Sequence, residues 1–350
     1  VRIENLIVGS LQTQSSDSTV SLSSKPYQAY VDEVINEVIA LTGKDPALVS
    51  MNIYTSMDAE LQAHIEAIEN GQVDEVDWPN EIIQTGIITM NHSTGEILAI
   101  GGGRYYEGER LFNRATDMLR QPGSSAKLIL TYPLAFEYLG WSTQHILYDR
   151  PIIYAGTDVV IQNWDQQYRG AVTIASAIGN SLNIPAIETI GAVASEISNV
   201  EVVKYLNSIG FSRVTANNFD LGYGIGGSVF TVSPLEMAGA YSAMLNAGTY
   251  TKPHTVLRVE FNDGSDPVEP NYESTEVLSA QAAFITAAMM EQNVSGPYSN
   301  FMQTLRANYS VYAKTGTSDW GDTGLEYGIP EGAAKDKWMI AGTSEIVSAV

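Results

Sequence analysis

The sequence predicts an α+β fold: one antiparallel sheet flanked by helices, with a helical region inserted between its strands and a small α/β unit ahead of it. Three observations carry this expectation. From residue 85, "TGIITMN" and "EILAIGGG" are two β-rich apolar runs joined by the polar "HSTG", the pattern of a hairpin. Residues 112–250 are rich in Ala, Leu and Ile and hold several helical stretches. The chain then returns to strand character in "YSVYAKTGTS" and "KWMIAGTSEIVSAV". Strands at both ends of a segment with helices between them fit one sheet shared by its first and last parts.

The elements follow in order. Residues 10–25, "SLQTQSSDSTVSLSSK", are Ser-rich without apolar periodicity and read as a loop or linker. In "YQAYVDEVINEVIALTG", Tyr30, Val31, Val34, Ile35, Val38, Ile39 and Leu41 recur at helical spacing, and Gly43 ends the helix. "VSMNIYTSMD" reads as a strand and "AELQAHIEAIEN" as a helix. Residues 1–85 therefore form an N-terminal linker region and residues 86–350 the main domain. Within the latter, "TVLRVEFNDGS" reads as a strand ending in a turn, and "AQAAFITAAMMEQNV" as a helix with Met289 and Met290 in its core face. The chain lacks an initial Met and stops within a strand, so a piece of a longer protein, cut short at its C-terminus, is expected.

Composition narrows the function. The net charge of −22 repels phosphate backbones and argues against nucleic acid as a partner. With no cysteine, disulfides, thiol catalysis and Cys-ligated zinc are excluded. His64, His92, His145 and His254 are scattered and make no metal-ligand spacing, so neither a metal nor a cofactor is expected. "GYGIGG", Gly222 to Gly227, matches a dinucleotide fingerprint on paper, but no βαβ unit surrounds it.

Three short motifs could carry chemistry. In "RQPGSSAKLIL", Ser124 and Lys127 are three residues apart, neighbours one turn along a helix, whereas Ser125 and Lys127 diverge by about 200°. Of the eight lysines, only Lys127 has a serine three residues before it. A Ser beside a Lys of lowered pKa is an activated nucleophile; a Ser at a helix start is equally a cap. In "NSLNIPA", Ser181 and Asn183 can reach one cleft from a short loop. In "KTGTS", strand alternation puts Lys314 and Gly316 on one face and Thr315 and Thr317 on the other, and a Gly there lets another backbone come close.

The ordered set Ser-x-x-Lys, Ser-x-Asn, Lys-Thr-Gly resembles that of the serine acyltransferases that include penicillin-binding proteins and class A β-lactamases. The surroundings sharpen the resemblance to class A, bifunctional penicillin-binding proteins: "IYTSMDAELQ", "GEILAIGGGRYYEGERLFNRATDMLRQPGSSAK", "NWDQQYRGAVTIASAIGNSLNIPAIET" and "TVSPLEMAGAYSAMLNAGTYTKP" each resemble theirs. The likeness runs from about residue 25 onward. It departs at Leu128, where the family usually has Pro.

The resemblance implies a D,D-transpeptidase that cross-links peptidoglycan stem peptides at their D-Ala-D-Ala ends and is acylated by β-lactam antibiotics. Ser124 is then the nucleophile, Lys127 its base and Ser181, in line with Lys127, the proton relay. Asn183 holds the donor peptide, and Lys314, Thr315, Gly316 and Thr317 receive its carboxylate. The backbone N–H groups of Ser124 and Thr317 form the oxyanion hole. The resemblance also implies a glycosyltransferase domain elsewhere in the full-length chain, on the extracytoplasmic face of a bacterial membrane, anchored by a segment outside this one. A D,D-carboxypeptidase, a β-lactamase, or a non-catalytic penicillin sensor or scaffold would carry the same motifs.

Overall fold

A computed structural model of the chain describes residues 2–3 and 26–350, apart from 81, 155–157, 159, 228, 299–300 and 331. The Ser-rich stretch at 10–25 lies outside the described residues. The first helix, Gln28–Thr42, buries Tyr30, Val34, Ile35 and Val38, as its periodicity predicts, while Leu41 is left exposed. Gly43 closes it in the left-handed region at φ 69°, its N–H bonded to the Ile39 carbonyl. Strand Met51–Thr55 follows, then helix Ala59–Glu69, whose Asp58 carboxylate accepts the N–H groups of Glu60 and Leu61.

Strand Met51–Thr55 pairs antiparallel with Val256–Phe261, Ile53 opposite Val259. The strand read from "TVLRVEFNDGS" thus completes the small sheet rather than the large one, and a division at residue 85 cuts across that sheet. Alternation identifies a strand but not its partner, because pairing is a long-range choice.

The large sheet has five strands in the order Tyr312–Asp319, Ala334–Gly342, Ile346–Ala349, Ile87–Asn91, Ile97–Gly101, all neighbours antiparallel. Its first and last parts come from opposite ends of the segment, as expected. The Asn91 side chain accepts the N–H groups of Ser93 and Thr94, and Gly95 turns at φ 84° to close the predicted hairpin. Helices Thr131–Tyr138, Ile184–Ser208, Pro234–Leu245 and Ala280–Ser295 bury Leu134, Ile190, Ala238, Tyr241, Met289 and Met290 in one continuous core with Ile88, Met90 and Ile340 of the sheet. Pro234 opens its helix behind a Ser233–Glu236 capping box. Among the described residues no helix is long and apolar enough to cross a membrane.

Candidate active site

Residues Gly123–Leu128 form a 3₁₀ helix rather than the α-helical start that the sequence suggested, and a separate helix begins at Thr131. At three residues per turn, positions i and i+3 eclipse, so Ser124 and Lys127 lie on one edge more closely than in an α-helix. Leu128 is fully buried at the end of this turn and belongs to the core. The neighbouring Ser125 is also buried, and its hydroxyl donates to the Pro122 carbonyl at 2.7 Å. Tyr241 in turn donates its hydroxyl to the Ser125 carbonyl at 2.7 Å. Ser125 is therefore a brace for the turn, and Ser124 is half-buried.

The Ser181–Asn183 loop lies at the amine of Lys127. Lys127 Nζ donates to the Ser181 carbonyl and to Asn183 Oδ1, both at 2.8 Å. Ser181 takes the left-handed conformation at φ 52°, unusual for a non-glycine residue and a frequent mark of a functional site. Leu182, fully buried, anchors the turn between the two polar residues. The third motif closes from the sheet: Lys314 Nζ donates to Ser181 Oγ at 3.0 Å and to the Thr315 carbonyl at 2.9 Å. The sequence reading put Ser181 in line with Lys127. Here its carbonyl serves Lys127 and its hydroxyl serves Lys314. The sequence reading gave Asn183 to the substrate; here its carboxamide oxygen serves Lys127.

Strand Tyr312–Asp319 alternates as predicted, with Lys314, Gly316 and Ser318 buried, Thr315 half-buried and Thr317 exposed. The buried face meets the Ser124 turn. A Cβ on Gly316 would overlap the Pro122 carbonyl oxygen, and one on Gly123 (φ 54°) would overlap the Thr317 backbone. The Ser124 and Thr317 main chains are thereby brought side by side. A third glycine joins them: a Cβ on Gly226 (φ 73°) would overlap the backbone of Gly123, whose N–H donates to the Gly226 carbonyl at 3.1 Å. The glycine-rich "GYGIGG" is thus the wedge behind the Ser124 turn. Gly226→Ala is expected to move Gly123 and Ser124 as well as strain the backbone, lowering both the melting temperature and the rate of acylation; a parent-like rate would show that the wedge does not set the turn.

Both lysines are buried, and among the described residues no carboxylate pairs with either amine. Burial, and then the charge of Lys314, hold the Lys127 amine well below the usual lysine range. Burial alone brings Lys314 down to about 7. The arrangement is an amine whose charged form is disfavoured, one 3₁₀ turn from a serine hydroxyl, and a second amine, brought down to about 7, on a second hydroxyl. Such a pair can take a proton at one point and deliver one at another.

Several site residues carried no sequence signal that was read as such. Asn163, Gln162 and Asp149 stand behind Asn183, and of the three only Asn163 falls within a run that resembles the family. Trp164 donates its indole N–H to the Asn180 carbonyl at 3.0 Å and meets Phe301 edge-on, leaving two exposed rings beside the Ser181 loop. His145 and His254 stack on Trp141 and Tyr272, away from this chemistry.

Comparison with known proteins bears on this geometry. The family described as the penicillin binding protein transpeptidase domain matches residues 85–341. Penicillin-binding protein 1A/1B of Bacillus subtilis (strain 168) is 34% identical over 331 residues, covering 94% of this chain and 35% of that protein. Penicillin-binding protein 1A of Streptococcus pneumoniae is 32% identical over 335 residues, covering 90% of this chain and 44% of that protein. The chain thus spans less than half the length of either relative. Among solved structures, the penicillin-binding protein PonA1 from Mycobacterium tuberculosis superposes with a TM-score of 0.75 at 21% identity, covering 93% of this chain and 82% of that one. PonA1 in complex with penicillin V matches at a TM-score of 0.74.

Proposed function

This chain belongs to the penicillin-binding protein transpeptidase family, and from that premise we propose that it is a serine D,D-transpeptidase acting on peptidoglycan stem peptides. The observation that carries the reading is the joining of Lys127, Ser181, Asn183 and Lys314 in one hydrogen-bonded group, with Lys127 on the same 3₁₀ turn as Ser124. Ser124 Oγ attacks the carbonyl between two terminal D-alanines while its proton passes to Lys127 Nζ. As the C–N bond breaks, the Ser181 hydroxyl gives a proton to the leaving D-alanine amine and is refilled from Lys314. An acceptor amine then attacks the acyl carbon and returns its proton through Ser181 to Lys314. Ser124 leaves with the proton held on Lys127, so both lysines end as they began. The Ser124 and Thr317 N–H groups face the developing oxyanion. Lys314, Thr315 and Thr317 take the substrate carboxylate, which needs a cation in a chain of charge −22. β-Lactams enter as mimics of the D-Ala-D-Ala end. The reading places the domain outside a bacterial membrane, joined in its full-length protein to a glycosyltransferase domain and an anchor.

The deciding experiment offers the purified chain a fluorescent penicillin, then a D-Ala-D-Ala donor with amine acceptors. Label on Ser124 and acyl transfer to the amine are expected. Label with transfer only to water favours a carboxypeptidase, rapid turnover of a chromogenic cephalosporin favours a β-lactamase, and label with no turnover favours a sensor. Each of these would overturn the transpeptidase reading.

The lysines also set a pH dependence. Lys127 accepts a proton only when neutral, so acylation rises with pH through its depressed pKa. Lys314 attracts a carboxylate only when charged, and it loses its proton near 7. The second-order acylation rate constant, which reports the free protein, is expected to fall by about tenfold per pH unit well above that value. A β-lactam esterified at its carboxylate should acylate the protein more slowly than the free acid at low pH, where Lys314 is charged, with the gap closing above about 7; an ester that acylates as fast as the acid at low pH would mean that Lys314 is not the carboxylate's partner.

A further inference from the structure

Behind Asn183 runs a buried polar chain that none of the three motifs names. Asn163 is 3% exposed and Asp149 1%. Asn163 Nδ2 donates to both Asp149 oxygens, at 2.8 and 3.0 Å, and to the Gln167 carbonyl at 2.7 Å. Its Oδ1 accepts the backbone N–H of Asn183 at 2.8 Å. Asn183 Nδ2 donates to the Gln162 carbonyl at 2.8 Å, and Asn183 Oδ1 accepts from Lys127. The far end is tied as well: Asp149 accepts the Arg169 backbone N–H at 3.0 Å, with the Arg169 guanidinium at 3.8 Å.

The donor and acceptor inventory leaves one orientation at each step. A carboxylate only accepts, so the amide nitrogen of Asn163 must face Asp149 and its oxygen must face Asn183. A carbonyl only accepts, so the amide nitrogen of Asn183 must face Gln162 and its oxygen must face Lys127. Reversing the Asn163 amide would set oxygen against oxygen in a buried place, where unpaired polar groups cost most; reversing that of Asn183 would turn its nitrogen onto the Lys127 amine. The same two loop residues, Gln162 and Asn163, hold Asn183 by its side chain and by its main chain. Asn183 Oδ1 thus faces Lys127 because the Gln162 carbonyl orients the amide, while Asp149, through Asn163, holds the main chain that carries it.

Resting on the reading of Ser124 as the acylated residue, we propose that Asn163, locked by Asp149, is a positioning residue for acylation: it fixes Asn183 so that Asn183 Oδ1 holds the Lys127 amine one turn from Ser124. It touches no substrate and acts through Asn183.

The test is a cycle on the second-order rate constant for acylation by a fluorescent penicillin, with melting temperature measured beside it, for Asn163→Ala, Asn183→Ala and the double variant. Each single change is expected to slow acylation about 10–100-fold, by analogy with the loss seen when a residue that orients a metal ligand is removed. The double variant should be no slower than the slower single one, because the two residues act in series. Loss of the accepting oxygen disfavours the ammonium form of Lys127, which faces the Ser181 carbonyl, Asn183 Oδ1 and the Lys314 amine. The acid limb of the pH profile should therefore move to lower pH in both single variants. Parent-like acylation by Asn163→Ala, or losses that multiply in the double variant, would overturn the role. Should Asn163→Ala fail to fold, Asp149→Asn keeps the shape and one accepting oxygen; it is expected to slow acylation less than Asn183→Ala and to shift the same limb, and a parent-like profile would overturn the role in its turn. A parent protein that takes no label on Ser124 instead overturns the functional reading itself.

Discussion

Ser124→Ala is expected to reduce penicillin labelling to background, while Ser125→Ala labels at close to the parent rate. Removing the nucleophile of a serine hydrolase lowers turnover on the order of 10⁶-fold, since the remaining groups have nothing to activate. The two serines are adjacent, yet the structure gives them opposite work. Ser125 spends its proton on the Pro122 carbonyl, inside the core. Its removal leaves that carbonyl with only the Ser125 N–H, at 3.4 Å, and costs about 1 kcal/mol of stability. Ser124→Ala removes a half-buried hydroxyl and should leave the melting temperature nearly unchanged. The measurement is mass mapping of the adduct with thermal melting of both variants. An adduct on Ser124→Ala at the parent rate would dismiss the assignment.

Lys127→Ala is expected to slow acylation at pH 7 by about 10²–10⁴-fold, the usual contribution of a positioned general base, while the fold survives. Survival follows from the sign of the linkage. The Lys127 amine is depressed by burial and by Lys314, so the unfolded chain binds protons there that the folded one resists. Stability supplied by such a group rises with pH, up to the unfolded lysine value of about 10.4. Below that value the buried amine works against folding, so truncating it relieves one penalty as it opens a small void and leaves Asn183 Oδ1 and the Ser181 carbonyl without their donor. Lys314, brought down to about 7 with burial as the cause, behaves in the same way, and its own window runs from there to about 10.4. Denaturant melts across this range should show the parent gaining stability with pH and Lys127→Ala gaining less. An equal slope in both would mean that Lys127 is not held neutral, and normal acylation at neutral pH would remove it from the mechanism.

What the sequence disclosed, and what it hid, follows from the range of the interactions. Ser124 and Lys127 were legible because a three-residue spacing brings side chains together in an α-helix and in the observed 3₁₀ turn alike. Lys314 and Gly316 were legible because strand alternation is local. The large sheet was legible in outline from strands at both ends of the segment. By contrast, nothing in "TVLRVEFNDGS" says that it pairs with Met51–Thr55, roughly two hundred residues earlier. Asn163 sits in a loop without periodicity, and its importance lies in partners at 149 and 183 that only the folded chain brings near. The glycines at 222–227 were noticed for the wrong reason: close approach was their purpose, and the approaching group is backbone rather than a phosphate. The division of Ser181 between two lysines was illegible too, since it depends on a left-handed backbone angle that a serine does not advertise.

The meeting of Gly123, Gly226 and Gly316 has a kinetic consequence. These glycines lie about a hundred residues apart in turn, and each stands where a methyl group could not fit. The loops that their contact closes are long, so the contact is among the slower ones to form and draws on most of the domain. A folding intermediate that has its helices but not this three-way contact would hold Ser124 and Lys127 in sequence and not in register with Lys314. During refolding, reactivity toward penicillin should therefore return with the last phase, after helical signal has recovered. The antibiotic that reports on the chemistry would then also time the completion of the fold.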